Sequence, residues 1–364
     1  KAIKAIDALE KKLPSDPLAP HLRGQAELAQ NNLSGARQSF QKALQLDKSF
    51  HAAAMSLANL DVRENKLGDA RTVLNEILKA EPRHVGALLL LADIQRQSGG
   101  SQDDVAAMIR KAQAANPADV SARMRLIELY RSQRAFKKSL DAAQEAIAAN
   151  PDDPLLLDAL GKSQALVGDD RQAMSTFRKL ATLQPTSAIP HLRMAEVQVA
   201  TRDRAGARQS LRRAIEVEPN LTTAQEGLVK MALEDKRPEE ALAVARSLQQ
   251  RRPKDSIGFF LEADVEASQK NWGAAIAAYR KGHALAPSFT AGAVKLYRAL
   301  ILSNKKSEAD QFSATYISKN PNDLQFLYYL GDRALALDDF REAERLYLKI
   351  LDIAPASGMA LNNL

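Results

Sequence analysis

The side chains that could carry chemistry are few in this 364-residue chain, and they are scattered. Its five histidines are His21, His51, His84, His191 and His283. They are read as lying in different structural units. No two stand four apart, the spacing that sets two imidazoles on one helix face for a metal, so no metal or other cofactor is expected. Acidic pairs occur at Asp103–Asp104, Asp152–Asp153, Asp169–Asp170 and Asp338–Asp339. General acid–base work needs carboxylates facing each other in a cleft. These pairs fall in turns or at helix starts, where a carboxylate caps free backbone N–H groups. The chain has no G-x-x-x-x-G-K, G-x-G-x-x-G, G-x-S-x-G or H-E-x-x-H pattern. It therefore lacks the phosphate-cradling loops, the nucleophile elbow and the zinc helix that those spacings build, and no catalysis is expected.

Composition narrows the classes further. There is no cysteine, so disulfides and thiolate-bound metals are excluded, which suits a cytosolic or a periplasmic protein equally. No apolar run of about 18 residues is present, so no membrane-spanning helix is expected. The net charge is +7. Basic residues gather at Arg202, Arg204, Arg208, Arg212 and Arg213, and again at Arg246, Arg251, Arg252 and Lys254. Single-stranded nucleic acid would require aromatics among them for stacking, and these stretches have none. They read as a solvated outer face, with no nucleic acid as partner.

What must position any functional side chain is a repeat. Pro117, Pro151, Pro185, Pro219, Pro253, Pro287, Pro321 and Pro355 recur every 34 residues, with Pro82 35 residues before them. Alanine keeps the same beat at Ala36, Ala70, Ala173, Ala207, Ala241, Ala275, Ala309 and Ala343. Such a period means stacked copies of one small unit, with long surfaces for partners and no enclosed pocket. Within residues 324–357 the apolar residues Leu324, Leu327, Tyr328, Leu330, Ala334 and Leu335 share one helical face. Asp338 and Asp339 supply a turn. A second helical pattern follows through Ala343, Leu346, Tyr347, Ile350 and Leu351 and stops at Pro355, which has no N–H to continue it. With Leu324 as position 1, position 8 is small at Gly24, Ala58, Ala92, Gly161, Ala195, Ala263 and Gly331. Position 20 is alanine apart from Val105 and Ser139, and position 24 is large at Phe40, Leu74, Ile109, Phe177, Leu211, Tyr279 and Tyr347.

This pattern resembles the tetratricopeptide repeat. The resemblance implies an all-α solenoid of antiparallel helix pairs wound into a right-handed superhelix. Ten complete repeats are expected over residues 17–357, as one elongated domain. One repeat, Val85 to Asp119, carries an extra residue in or near its turn at Ser98–Asp104. Residues 1–16 read as the second helix of an earlier repeat, with Ala2 at position 20, and residues 358–364 as the start of another. Two departures stand out. Lys48 replaces the proline, which should loosen a helix end, and Glu262 takes an apolar position as a buried acid or on a rotated helix.

In that family the first helices line the concave face, and a protein or peptide partner is expected there. Carried over, position 5 offers Met124, Leu192, Glu226, Phe260, Val294 and Tyr328 as partner-binding residues, with Phe260 and Tyr328 as aromatic anchors in a chain only 5% aromatic. Position 9 alternates in sign through Glu128, Lys162, Glu196, Lys230, Asp264, Arg298 and Asp332. These are read as an ion-pair ladder between neighbouring repeats that leaves the groove nearly neutral. The Lys/Asn/Arg clamp with which relatives hold a terminal carboxylate is absent, since position 5 is never lysine and position 9 is asparagine only at Asn59.

The stretches GFFLEADVEASQKNWGAAIAAYRKG from Gly258, VKLYRALILSNKKSEADQF from Val294 and YLGDRALALDDFREAERLYLKILDIAPASGMALNNL from Tyr329 resemble the repeat lipoproteins of the bacterial PEP-CTERM/exopolysaccharide sorting system. That resemblance implies a periplasmic, lipid-anchored scaffold without catalysis, its anchor outside this chain. The chain starts and stops mid-repeat and is read as a fragment. A cytoplasmic peptide-binding adaptor and the repeat region of a larger enzyme remain open alternatives.

Overall fold

The computed structural model describes residues 2–364. Lys1, the first residue of the expected half-repeat, lies outside the described residues, as does the side chain of Ala2. Among the described residues there are 22 helices and no strand, as an all-α repeat requires. Two compact bodies divide the chain, Lys1–Gln184 and Pro185–Leu364, where the sequence reading has one domain. An array whose units touch only their neighbours has no common core to enforce one. Eleven helices belong to each body.

Over residues 17–357 a first helix of 12 or 13 residues alternates with a second of 14. Position 15 of every repeat is left-handed: Asn31, Asn65, Gly99, Arg134, Gly168, Arg202, Lys236, Lys270, Asn304 and Asp338 all have positive φ. The next residue's N–H reaches back to the carbonyl five residues earlier, as in Asn32 to Glu27 at 2.9 Å and Asp339 to Ala334 at 2.9 Å. This is the Schellman closure, which satisfies carbonyls that a helix end leaves bare. The residue types at position 15 are so mixed that the sequence alone hid it. The extra residue of the 85–119 repeat sits in Gly99-Gly100-Ser101, which delays the second helix to Gln102.

The small positions do what their size allows. Within the ten complete repeats every alanine at position 20 is buried at 0–1% exposure, and the two exceptions, Val105 and Ser139, are buried as well. At position 8 a Cβ on Gly24 would stand 2.5 Å from the Phe40 ring, and one on Gly161 2.4 Å from Phe177. The first helix thus rests directly on the large residue at position 24. Overpacking should be costly here: Ala207→Leu and Ala241→Leu are each expected to lose about 1–3 kcal/mol in denaturant melts, and unchanged midpoints would refute this packing register.

Both departures have local answers. The helix Leu33–Leu46 ends without proline because the Asp47 carboxylate accepts from the N–H and hydroxyl of Ser49 at 2.8 and 2.7 Å, a turn that competes with the helix. The expected loosening at Lys48 does not occur. Glu262 is partly buried; across the helix pair Arg246 neutralises it at 3.1 Å and the Gln249 amide donates to its other oxygen at 2.8 Å.

Burial pushes the His21 and His283 imidazoles below their ordinary range, with Lys319 adding to the effect on His283. His283 lies against Phe312 and Tyr316, and its Nδ1 has no hydrogen-bond partner among the described residues. The unfolded chain therefore binds protons more readily than the folded one. Stability should be complete above the unfolded histidine value of about 6.5 and fall as the pH drops below it. Thermal melts at pH 7.5 and 5.5 check this, and His283→Phe should reduce the loss. A rise in melting temperature on acidification would contradict the assignment.

Candidate partner-binding surface

The first helices carry the position-5 residues, but not all of them reach solvent. Met124, in the first body, is half-buried against the surrounding apolar cluster. In the second body Leu192, Val294 and Tyr328 are likewise half-buried, and Glu226 is exposed. Phe260 is only 3% exposed and cannot anchor a partner. It packs on Phe289 and Tyr279, with ring centroids at 5.3 and 6.3 Å. Gly282 and Gly292 make its slot, since a Cβ on Gly292 would stand 2.3 Å from the ring. Those two glycines were the sequence signal that Phe260 belongs to the core.

The charge ladder does not form. Glu128 pairs with Arg131 on its own helix at 2.5 Å, Lys162 with Asp158, Glu196 with Arg193 at 2.9 Å and Lys230 with Glu234 at 4.0 Å. A partner one helical turn away is closer than one on the next helix, some 8–10 Å off axis to axis. Asp264 and Asp332 answer a different demand. Each accepts a hydrogen bond from the tyrosine hydroxyl at position 24 of its own repeat, Tyr279 and Tyr347, both at 2.6 Å. Burial and the adjoining carboxylate push both phenols up, so the hydroxyls stay protonated donors. Cross-repeat pairs do exist elsewhere. Position 9 meets position 6 in Asp93–Arg125 at 2.5 Å and Asp264–Lys295 at 2.7 Å. Arginine at position 21 reaches the next first helix, as Arg37 does to Asp61 at 2.6 Å and Glu64 at 2.8 Å, and Arg208 to Asp235. The basic second-helix residues Arg204 and Arg208 are thus partly spent on structure.

Arg298 is left without an ion pair among the described residues. It lines a shallow cleft of about 400 Å³ between the helices Thr290–Leu302 and Leu324–Leu335, with Ile301, Leu302, Tyr329, Asp332 and Arg333. Arg333 also has no carboxylate partner among the described residues. Its guanidinium lies 5.5 Å over the Tyr297 ring and donates to that hydroxyl at 3.3 Å. Tyr297 in turn meets Tyr329 edge-on at 6.1 Å. Leu302 is 51% exposed. Asp332, already held by Tyr347, also borders a larger cleft of about 920 Å³ lined by Leu324, Gln325, Tyr328, Gly358, Met359, Asn362 and Asn363. Three residues expected at the groove, Arg298, Tyr328 and Asp332, therefore come together along this stretch. Arg333 and Tyr329 were missed because they occupy positions 10 and 6, outside the carried-over set.

Models of the tetratricopeptide repeat match residues 27–94, and residues 1–49, 103–154 and 192–256, together more than half of the sequence. The chain belongs to the tetratricopeptide repeat family. No curated protein sequence matches it. Similar solved structures include yeast Tom70, at 13% identity and TM-score 0.41, covering 97% of this chain and 94% of that one. Pseudomonas aeruginosa pilF is 17% identical, with TM-score 0.43, over 57% of this chain and 93% of that one. YrrB, described as a tetratricopeptide protein with an unusual peptide-binding site, is 20% identical, with TM-score 0.39, over 52% of this chain and 96% of that one. Tetratricopeptide arrays are in general non-catalytic, and the repeats here make a scaffold for protein interaction. No helix among the described residues is long and apolar enough to cross a membrane. The histidines depart from expectation in one place: His51 and His84 are the first and last residues of a single repeat.

Proposed function

We propose that this tetratricopeptide array holds a partner protein through an extended segment of that partner, laid along the first-helix face of residues 290–335. One observation carries the reading: Arg298 and Arg333, without carboxylate partners among the described residues, flank exposed Leu302 with Ile301 and Tyr329. Guanidinium forks bind carboxylates with two parallel hydrogen bonds, and the apolar floor takes an aliphatic or aromatic side chain. The segment that fits carries Asp or Glu beside an apolar residue. Recognition is therefore electrostatic as well as apolar, unlike that of a neutralised groove. Selection of displayed random peptides on the whole chain tests this. Enriched peptides should carry an acid within a few residues of an apolar side chain and should be lost on an Arg298→Glu/Arg333→Glu chain. Enrichment of basic or purely apolar peptides would overturn it.

We further propose a place for the scaffold in a bacterial envelope, serving protein sorting or exopolysaccharide export. The support is the likeness of residues 258–364 to the sorting-system lipoproteins. The native gene product should then fractionate with the envelope when spheroplasts are separated. Recovery in the cytosol would favour an adaptor there.

A further inference from the structure

The junction between successive repeats brings positions 1, 31 and 34 together. Three contacts show it with different chemistry. Thr290 donates to Asp323 at 2.6 Å, the Ala188 N–H donates to Glu218 at 2.8 Å, and Arg252 pairs with Asp255. In the repeat His51–His84 these three positions are His51, Glu81 and His84. Among the described residues this is the one group of three whose ligand atoms lie close enough to share an ion, all within 4.8 Å of one another.

We propose that His51, Glu81 and His84 form a binding site for a divalent transition metal of the zinc type. His51 Nδ1 and Glu81 Oε1 are 3.1 Å apart. Donors about 2.0–2.1 Å from a tetrahedral zinc stand at about that separation, so the pair already has the spacing of two ligands on one ion. The His84 ring meets the His51 ring edge-on, with centroids at 5.9 Å and planes at 88°. His84 Nδ1 now accepts the Ala87 N–H at 3.1 Å and caps the helix Val85–Gln97. Coordination through Nε2 would leave that cap in place, and coordination through Nδ1 would replace the hydrogen bond with the metal bond. Two imidazoles and one carboxylate suit zinc, whereas magnesium and calcium prefer oxygen alone. Glu81 is exposed, and water completes the shell. A bound ion would tie the first turn of one first helix to the turn that starts the next, fixing the stacking of two repeats.

Calorimetric titration of the whole chain with zinc chloride in a non-chelating buffer is the test. The expected result is one saturable site per chain, weakened at least tenfold in His51→Gln and in His84→Asn, and unchanged in His191→Gln. Asparagine keeps a helix-capping oxygen at position 84, so a loss there reports coordination and not unfolding. Zinc should raise the melting temperature of the parent chain and of neither ligand variant. Absence of a saturable site, or a parent-like isotherm in either ligand variant, overturns the proposal.

Discussion

Replacing Phe326 with alanine is expected to lower stability by about 3–5 kcal/mol. The ring is fully buried and lies 4.4 Å from Tyr316 and 6.3 Å from Tyr297, centroid to centroid. Its own backbone N–H is capped by Asp323 at 3.0 Å, and the other Asp323 oxygen accepts from Tyr316 at 2.7 Å and Thr290 at 2.6 Å. Burial and that acceptor push the Tyr316 phenol up to about 12, so the network stays intact through neutral pH. Because each repeat relies on its neighbours, the loss should be local. Hydrogen exchange should accelerate first across residues 290–357, while the first body keeps its protection. Uniform loss along the chain would show a cooperativity that a nearest-neighbour array does not have.

The second large effect concerns binding. For an acidic–apolar peptide selected on the parent chain, Arg298→Glu/Arg333→Glu should weaken affinity about 100-fold. Each charge-assisted hydrogen bond contributes about 1.5–3 kcal/mol, and reversal adds repulsion. Arg298→Glu alone should leave folding within about 0.5 kcal/mol, since the guanidinium holds no structural partner among the described residues. Arg333→Lys should also weaken binding, because an ammonium reproduces neither the fork nor the stacking on Tyr297. Raising salt from 0.1 to 0.5 M should weaken the parent interaction and scarcely affect the double variant. Equal salt dependence in both would place the charge contact elsewhere.

The fold was legible because its signals repeat. Proline and alanine on a fixed beat specify helix, turn and close approach, and the buried alanines and the Gly161–Phe177 contact follow from residue size alone. The site was less so. Position 9 looked like a ladder because charge alternates along the sequence, yet a side chain takes the nearest partner, on its own helix or in a tyrosine behind it. Asp264 and Asp332 are acidic where position 24 is tyrosine, a pairing fifteen residues apart that alternation conceals. Phe260 seemed an anchor because repeat position sets direction, but depth depends on neighbours such as Gly292. His51 and His84 stand 33 residues apart, a spacing that helix periodicity does not join, while a repeat closes its own two ends onto each other.

Amide hydrogen exchange of the whole chain with and without the tightest selected peptide tests the central claim most directly. Added protection should concentrate on Thr290–Leu302 and Leu324–Leu335, and should vanish in Arg298→Glu/Arg333→Glu at the same peptide concentration. Protection centred on the second helix Arg204–Val217, or persisting in the double variant, would contradict a first-helix groove gated by those two arginines.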